Sequence, residues 1–213
     1  MKHVGFFYVN CGLPEMEVMA TLMIASVKEV IPDAHISQFT NEATPALLGV
    51  DERIVRPVGK QGLMESRADH YARVKHETLF LDPDIIVQKN PREVFAEDFD
   101  VALTKRRGEL FVNGVDTHGS MPYNTGVSFC RNPRFWRAVH NEMKSMPFKE
   151  RNWLGEQIAV ANVVKSGEFN VLTLSCDDYN YSPETKHEDV SGRFIVHYKG
   201  PIRKHWMLDM VTA

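Results

Sequence analysis

Several features that would make a function class easy to assign are scarce in this sequence. Its 213 residues hold only three cysteines, Cys11, Cys130 and Cys176. They are widely spaced and form no Cys-x-x-Cys pair, which argues against both a disulfide framework and a thiolate zinc site and fits a reducing cytoplasm. Charge of neither sign dominates: the net formal charge is −3, so no global basic surface marks nucleic acid or an anionic membrane as the partner. Long hydrophobic runs are missing too. The apolar stretch in MKHVGFF is too short for a signal-peptide core, and residues 18–27 cover about half of the roughly 20 positions a membrane span needs. After the first apolar run, YVNCGLPEM lacks the Gly-rich basic loop of a phosphate cradle. No repeat, linker or low-complexity tract divides the chain. With 43% hydrophobic residues, it can bury one full core, and a single domain spanning residues 1–213 is expected.

What is present is an alternation of apolar runs and helical patterns. HVGFFYVN (3–10) reads as a buried strand that stops at Asn10 and Gly12. Beyond Pro14, Met16, Met19, Ala20, Met23, Ile24 and Val27 recur at helical spacing up to a Pro32-Asp33 stop. HISQFT (35–40) and RIVRP (53–57) read as strands, LMESRADHYARVKH (63–76) as a helix, and TLFLDPD as the strand it feeds. Strand, helix, strand, helix, strand implies a parallel, Rossmann-like sheet. NPREVF then reads as a helical turn and DVALTK (100–105) as a strand. Residues 106–123 form the longest segment without periodicity, which marks a functional loop or a mobile one. NTGVSFC (124–130) returns to strand, NPRFWRAVHNEMKSM and NWLGEQIAVANVVKS read as helices, and NVLTL and RFIVHY as late strands.

The chemistry concentrates at ETLFLDPDIIVQKNPREVF (77–95), where two carboxylates one residue apart stand at the end of an apolar strand. In doubly wound sheets ligands bind off the carboxyl ends of the strands, so Asp82 and Asp84 occupy the expected address for a site. In an extended segment both would point to one side and could face one hard cation, with Pro83 restraining the chain between them. Such a cation keeps positions open for phosphate oxygens of a substrate. Asp and Pro are also ordinary turn residues, so the three residues alone leave a solvated strand-end turn equally open.

The surrounding residues resemble the nucleotide-sugar glycosyltransferases of the GT-A fold, most closely glycosyltransferase family 8. In that group an apolar strand ends in a DxD, an apolar triplet follows, and then a short helix, as in LFLDPDIIVQKNPREVF. YNTGVSFC is similar to the Asn-x-Gly strand beside the donor sugar, GEQIAV stands in place of an Asp-Gln-Asp stretch, and IVHYKGPIRKHW resembles the closing His-Phe-x-Gly-x-x-Lys-Pro-Trp segment. Here Lys204 falls one residue late and His205 replaces the Pro. The resemblance implies a single GT-A (Rossmann-like) α/β domain with a mixed, mostly parallel central sheet flanked by helices. A nucleotide-binding half would occupy about residues 1–104, and an acceptor- and metal-closing half about 105–213. It further implies a metal held by Asp82, Asp84 and His197, and donor contacts from Tyr8, Asn10, Arg67, Asp82, Asn124 and Lys204. Arg73 is the alternative to Arg67. Glu156 and Gln157 take the catalytic, acceptor-side role.

The implied activity is transfer of a hexose from a nucleotide-diphosphate sugar, UDP-hexose first, with retention of anomeric configuration. The implied cofactor is Mn²⁺, or Mg²⁺, since imidazole suits manganese better. The acceptor stays open among glycan, lipid-linked, protein and nucleic-acid classes. The rival is a haloacid dehalogenase-type phosphatase with Asp82 as nucleophile, in which VALT and LSCDD would supply the Thr and Asp-Asp motifs. Against it, Ile86 stands where that group carries Thr or Val, and about eighty residues precede a motif normally found near the N-terminus.

Overall fold

A computed structural model describes residues 2–210 apart from 60–61, 109–110, 113–114, 117–118 and 152–153. Part of the aperiodic 106–123 segment and the start of NWLGEQIAV therefore lie outside the described residues. One central seven-stranded sheet organises the chain. Its strands are β1 (His3–Phe7), β2 (His35–Thr40), β3 (Glu52–Val55) and β4 (Thr78–Leu81), then β6 (Val101–Lys105), β9 (Tyr123–Cys130) and β10 (Val171–Ser175), with β5, β7 and β8 outside it. The spatial order is β10-β6-β9-β4-β1-β2-β3. All neighbours run parallel except β9, which is antiparallel to both β4 and β6. The sheet is thus mixed and mostly parallel, as expected from the sequence.

Burial on both faces explains why β1 and β4 read as unbroken apolar runs. Alternation sends Val4, Phe6, Leu79 and Leu81 into one core layer, where α1 (Pro14–Val30) presents Ala20, Met23, Ile24 and Val27. Phe7, Phe39 and Phe80 enter the other, covered by α2 (Leu63–Tyr71), α3 (Arg134–Ser145) and α4 (Gly155–Lys165). In that second layer Phe80 stacks on Tyr71 at 3.9 Å between ring centres and meets Trp136 edge-on at 6.0 Å. Gly5 makes room for the cluster, since a Cβ there would lie 2.7 Å from the Phe39 ring.

The helix expected over residues 63–76 ends at Tyr71. Beyond it the backbone unwinds into tighter turns, with the Arg73 and Val74 amides donating to the His70 and Tyr71 carbonyls. The buried Tyr71 ring fixes the helix end, and the chain must turn there to enter β4 at Thr78. A short hairpin, β7 (Phe111–Val112) with β8 (Val115–Asp116), lies within the 106–123 segment.

A larger departure concerns the Asp-Pro-Asp itself. Residues 83–84 form a turn, not an extended segment. The following β5 (Ile85–Val87) leaves the central sheet and pairs antiparallel with β11 (Ile195–His197) in a separate two-stranded sheet. RFIVHY therefore supplies a strand, but not to the main sheet. Two further helices, α5 (Cys176–Tyr179) and α6 (Gly200–Asp209), flank that small sheet in sequence. Among the described residues no helix is long and apolar enough to cross a membrane.

The aromatic layer yields a first prediction. Phe80→Ala should lower unfolding free energy by about 3–5 kcal/mol through the cavity it leaves, seen as a lower urea midpoint at unchanged slope; a loss below about 1 kcal/mol would mean that the layer collapses to fill the gap.

Candidate active site

The turn between the two sheets is where the site forms. β4 ends at Leu81, and the Asp82 amide extends the pairing by one bond to the Gly126 carbonyl of β9, 2.8 Å away. Across the small sheet His197 pairs with Ile85, and the Tyr198 amide donates to the Asp84 carbonyl at 2.9 Å. Register alone thus brings His197 beside Asp84. Its Nε2 lies 3.1 Å from Asp84 Oδ1 and 3.8 Å from Asp82 Oδ2. One ligand atom from each of the three residues lies within 4.8 Å of the others. Although Pro83 and Asp84 are turned and not extended, the two carboxylates still converge.

A hydrogen-bond chain determines which imidazole nitrogen faces them. Asn124 Oδ1 accepts from the Gly126 amide at 3.0 Å, so the Asn180 atom 3.0 Å from it must be the donating Nδ2, which also reaches Thr104 Oγ1 at 2.7 Å. Asn180 then turns its carbonyl oxygen to His197 Nδ1 at 2.9 Å, and Nδ1 carries the proton. Nε2 is left to face Asp82 and Asp84. A ring nitrogen among carboxylate oxygens requires a positive species between them, either a proton or a metal ion. A hydrogen-bonded, oriented imidazole with two carboxylates is the donor set of a divalent cation site, and these residues fit one. Gly126 completes the cradle: a Cβ there would stand 2.3 Å from His197 Cε1 and 2.8 Å from Asp82 Oδ2.

Arg67 and Lys204 bracket the triad. Arg67, buried on α2, donates through Nη1 to Asp82 Oδ1 at 2.5 Å, through Nη2 to Thr125 at 3.0 Å, and through both Nε and Nη2 to Glu156. Burial works against its charge, but Glu156 and Asp82 outweigh that and raise its pKa well above the ordinary value. Asp82 thereby commits one oxygen to Arg67 and turns the other to His197. Lys204 Nζ lies 3.2 Å from Asp84 Oδ2. Burial favours the neutral acid at Asp84, yet His197 and Lys204 prevail and hold its carboxyl far below the usual range. Lys204 faces the cavity although it is one residue late, whereas Arg203 turns away to the Pro183 carbonyl, 2.5 Å from its Nε.

These groups line a cavity of about 670 Å³ whose wall includes Tyr8, Arg67, Asp82, Asp84, Asn124, Gln157, His197 and Lys204. Two of the expected site residues are placed otherwise. Glu156 is fully buried behind Arg67 and does not reach the cavity. Asn10 is exposed, and its side chain accepts from the Gly12 amide at 2.9 Å, closing a local turn outside the wall. Arg73, in the turn beyond α2, points to solvent and pairs with Asp69 of that helix. The sequence reading overlooked Thr125, which lies inside YNTGV, and Asn180, which nothing local distinguishes. Arg106 and Lys199 stand in TKRRG and KGPIRKHW, two basic stretches whose charge admits an anionic acceptor but equally a solvated cluster.

No protein-family model and no curated protein matches the sequence. Solved structures match the fold. A glycosyltransferase involved in glycosylating the major capsid of PBCV-1 superposes with TM-score 0.66 at 14% identity, covering 99% of both chains. The glycosyltransferase GlyE of Streptococcus pneumoniae gives 0.64 at 18% identity, with 96% of this chain aligned to 59% of that one. The galactosyltransferase LgtC, solved with donor and acceptor sugar analogs, gives 0.59 at 15% identity over 93% of this chain and 87% of its own. The chain has the GT-A glycosyltransferase fold.

Two expectations follow. Arg67→Met leaves Glu156 as an uncompensated buried charge and should cost about 3–5 kcal/mol in urea unfolding, most of it recovered in Arg67→Met with Glu156→Leu; equal losses in single and double variants would sink the pairing. Gly126→Ala should leave the fold intact but weaken binding of a divalent cation at the triad roughly 10–100-fold, the scale at which displaced ligand partners act, measurable with Mn²⁺ as the probe by electron paramagnetic resonance of the free ion.

Proposed function

We propose that this chain is a metal-dependent glycosyltransferase that moves a hexose from a nucleoside diphosphate sugar, UDP-hexose first, to an acceptor hydroxyl with retention. The observation that carries the reading is the Asp82–Asp84–His197 cluster, set in the wall of a large cavity at the carboxyl end of β4, in a fold shared with solved glycosyltransferases. Mn²⁺ suits two carboxylates and an imidazole better than Mg²⁺ does. When bound, the cation supplies Lewis-acid neutralisation of the diphosphate.

The chain's own residues do the rest. Lys204, partly exposed beside Asp84, is placed to meet the charge that grows on the leaving diphosphate. Arg67 orients Asp82 through Nη1, and Glu156 keeps Arg67 in place, so Glu156 acts by positioning and not by touching substrate. Asn124 spends its carbonyl on Gly126 and Asn180, which frees its amide NH₂ for a donor-sugar hydroxyl. Gln157 accepts from Arg106 through Oε1 and keeps its own NH₂ for a sugar. Tyr8 offers a ring face in the wall to the nucleoside.

In the transfer the acceptor oxygen bonds to the anomeric carbon, and the bond from that carbon to the phosphate oxygen breaks. The nucleoside diphosphate leaves with the electron pair, and a diphosphate oxygen takes the acceptor's proton. Asp82 and Asp84 are the only carboxylates among the described cavity-lining residues. A covalent route would need a further carboxylate as nucleophile, and inversion would need one as base; front-face attack with retention needs neither. The phosphatase alternative wants a second acidic motif facing Asp82, but Asp177 pairs with Arg107 and Asp178 lies nearest Arg193.

The test is calorimetric titration of UDP with and without Mn²⁺, beside hydrolysis of UDP-glucose and of a phosphomonoester. UDP should bind in a metal-dependent way, with slow hydrolysis of the sugar nucleotide, and Asp82→Asn with Asp84→Asn should lower the affinity more than about tenfold. Absence of nucleotide binding with or without metal would sink the proposal; phosphomonoester turnover lost in Asp82→Asn would favour the phosphatase.

A further inference from the structure

A second cavity, of about 300 Å³, adjoins the first and shares with it Arg106, Asn124 and Lys199. On the metal side of that shared wall, three carboxylates face two cations. Arg67 stands with Asp82 and Glu156, and Lys204 with Asp84. What that side lacks is the positive charge of a cation. On the far side the imbalance has the opposite sign.

Four cationic side chains line the second cavity: Arg106, Arg107, Lys199 and Arg203. Arg107 is taken by Asp177, and Arg203 by the Pro183 and Lys199 carbonyls. Glu184, the other acid of the lining, is exposed at the rim. The two cations of the shared wall have no carboxylate within 4 Å among the described residues. Arg106 spends Nε on the Met121 carbonyl at 3.0 Å and Nη2 on Gln157, both neutral, and Lys199 Nζ touches only the Asn180 carbonyl, at 3.2 Å. Both are half-buried. Two half-buried cations with no carboxylate partner stand at the junction of two cavities, and an anion between them would compensate both.

We propose that the second cavity is the acceptor site and that the acceptor carries an oxyanion, a phosphate or a carboxylate, seated between Arg106 and Lys199. This rests on the glycosyltransferase reading above. Arg106, Asn124 and Lys199 line both cavities, so an anionic group seated between the two cations would leave the acceptor's hydroxyl within reach of the cavity that holds the triad. A neutral acceptor would leave both cations uncompensated in the ternary complex.

The full chain, saturated with Mn²⁺ and UDP, is titrated in a calorimeter with glucose, glucose 6-phosphate and glucuronate. At least one anionic sugar should bind ten or more times tighter than glucose, and which one it is distinguishes phosphate from carboxylate. Arg106→Gln and Lys199→Gln should each weaken that binding roughly tenfold or more, Arg106→Lys and Lys199→Arg should retain most of it, and the affinity for UDP should stay within about threefold throughout. Equal binding of glucose and both anionic sugars overturns the proposal. So does a parallel loss of UDP affinity, which would assign the two cations to the donor's diphosphate. If wild-type chain binds no UDP, the glycosyltransferase reading is what fails. Inorganic phosphate titrated into the bare protein then decides the anion seat: binding lost in both Gln variants supports it, and absent or unaffected binding overturns it.

Discussion

The short contact between β5 and β11 is the constraint on which the site depends. These strands share three paired positions, yet they alone bring a histidine near the end of the described chain to a carboxylate pair in its first half. A slip of one residue would turn His197 to the opposite face and replace it with Val196 or Tyr198. The ladder is held in register by bonds outside it: the His197 amide donates to the Tyr181 carbonyl at 2.6 Å, the Tyr198 amide to Asp84, and Ser26 on α1 accepts from the Val87 amide at 3.0 Å. α1, which packs on the central sheet through its apolar stripe, thus also anchors the small sheet. Core packing and ligand geometry are coupled through that one helix.

Charge is arranged in layers around the triad. Glu156 is sealed in the core and orients Arg67; Arg67 orients Asp82; Asn124 orients Asn180, and Asn180 the imidazole. Each interior group is satisfied by the next, so Asp82 and His197 are each aimed by a buried partner that is itself held in place. That economy explains an acid as deeply buried as Glu156: alone it would be intolerable, but as the anchor of a bidentate guanidinium it fixes a side chain that would otherwise have many rotamers.

The sequence exposes features that act over a few residues. β1, β2, β4 and β9 are legible because burial on two faces leaves no room for polar alternation, and α1 because its apolar positions keep a 3.6-residue period beyond Pro14. Asp82 and Asp84 are visible as carboxylates at a strand end. His197 is singled out only by the resemblance of IVHYKG to a family motif, since its spacing from the aspartates encodes nothing locally. The change of sheet at Pro83 is hidden, because Ile85, Ile86 and Val87 look like the strand before them. The burial of Glu156 is hidden as well, for a charged residue at the start of an amphipathic helix ordinarily faces water. Asn10, which ends an apolar run as a ligand-facing residue would, is occupied instead by its own turn. In each case the missing information is a partner distant in the chain.

That distance shapes how the molecule comes together. Asp84 and His197 are 113 positions apart, whereas β1 pairs with β2 across 32 positions and with β4 across 75. Closing the longer loop costs more chain entropy, and only three paired positions offset it. The triad is therefore the part of the fold whose loop closure is least compensated by its own strand pairing.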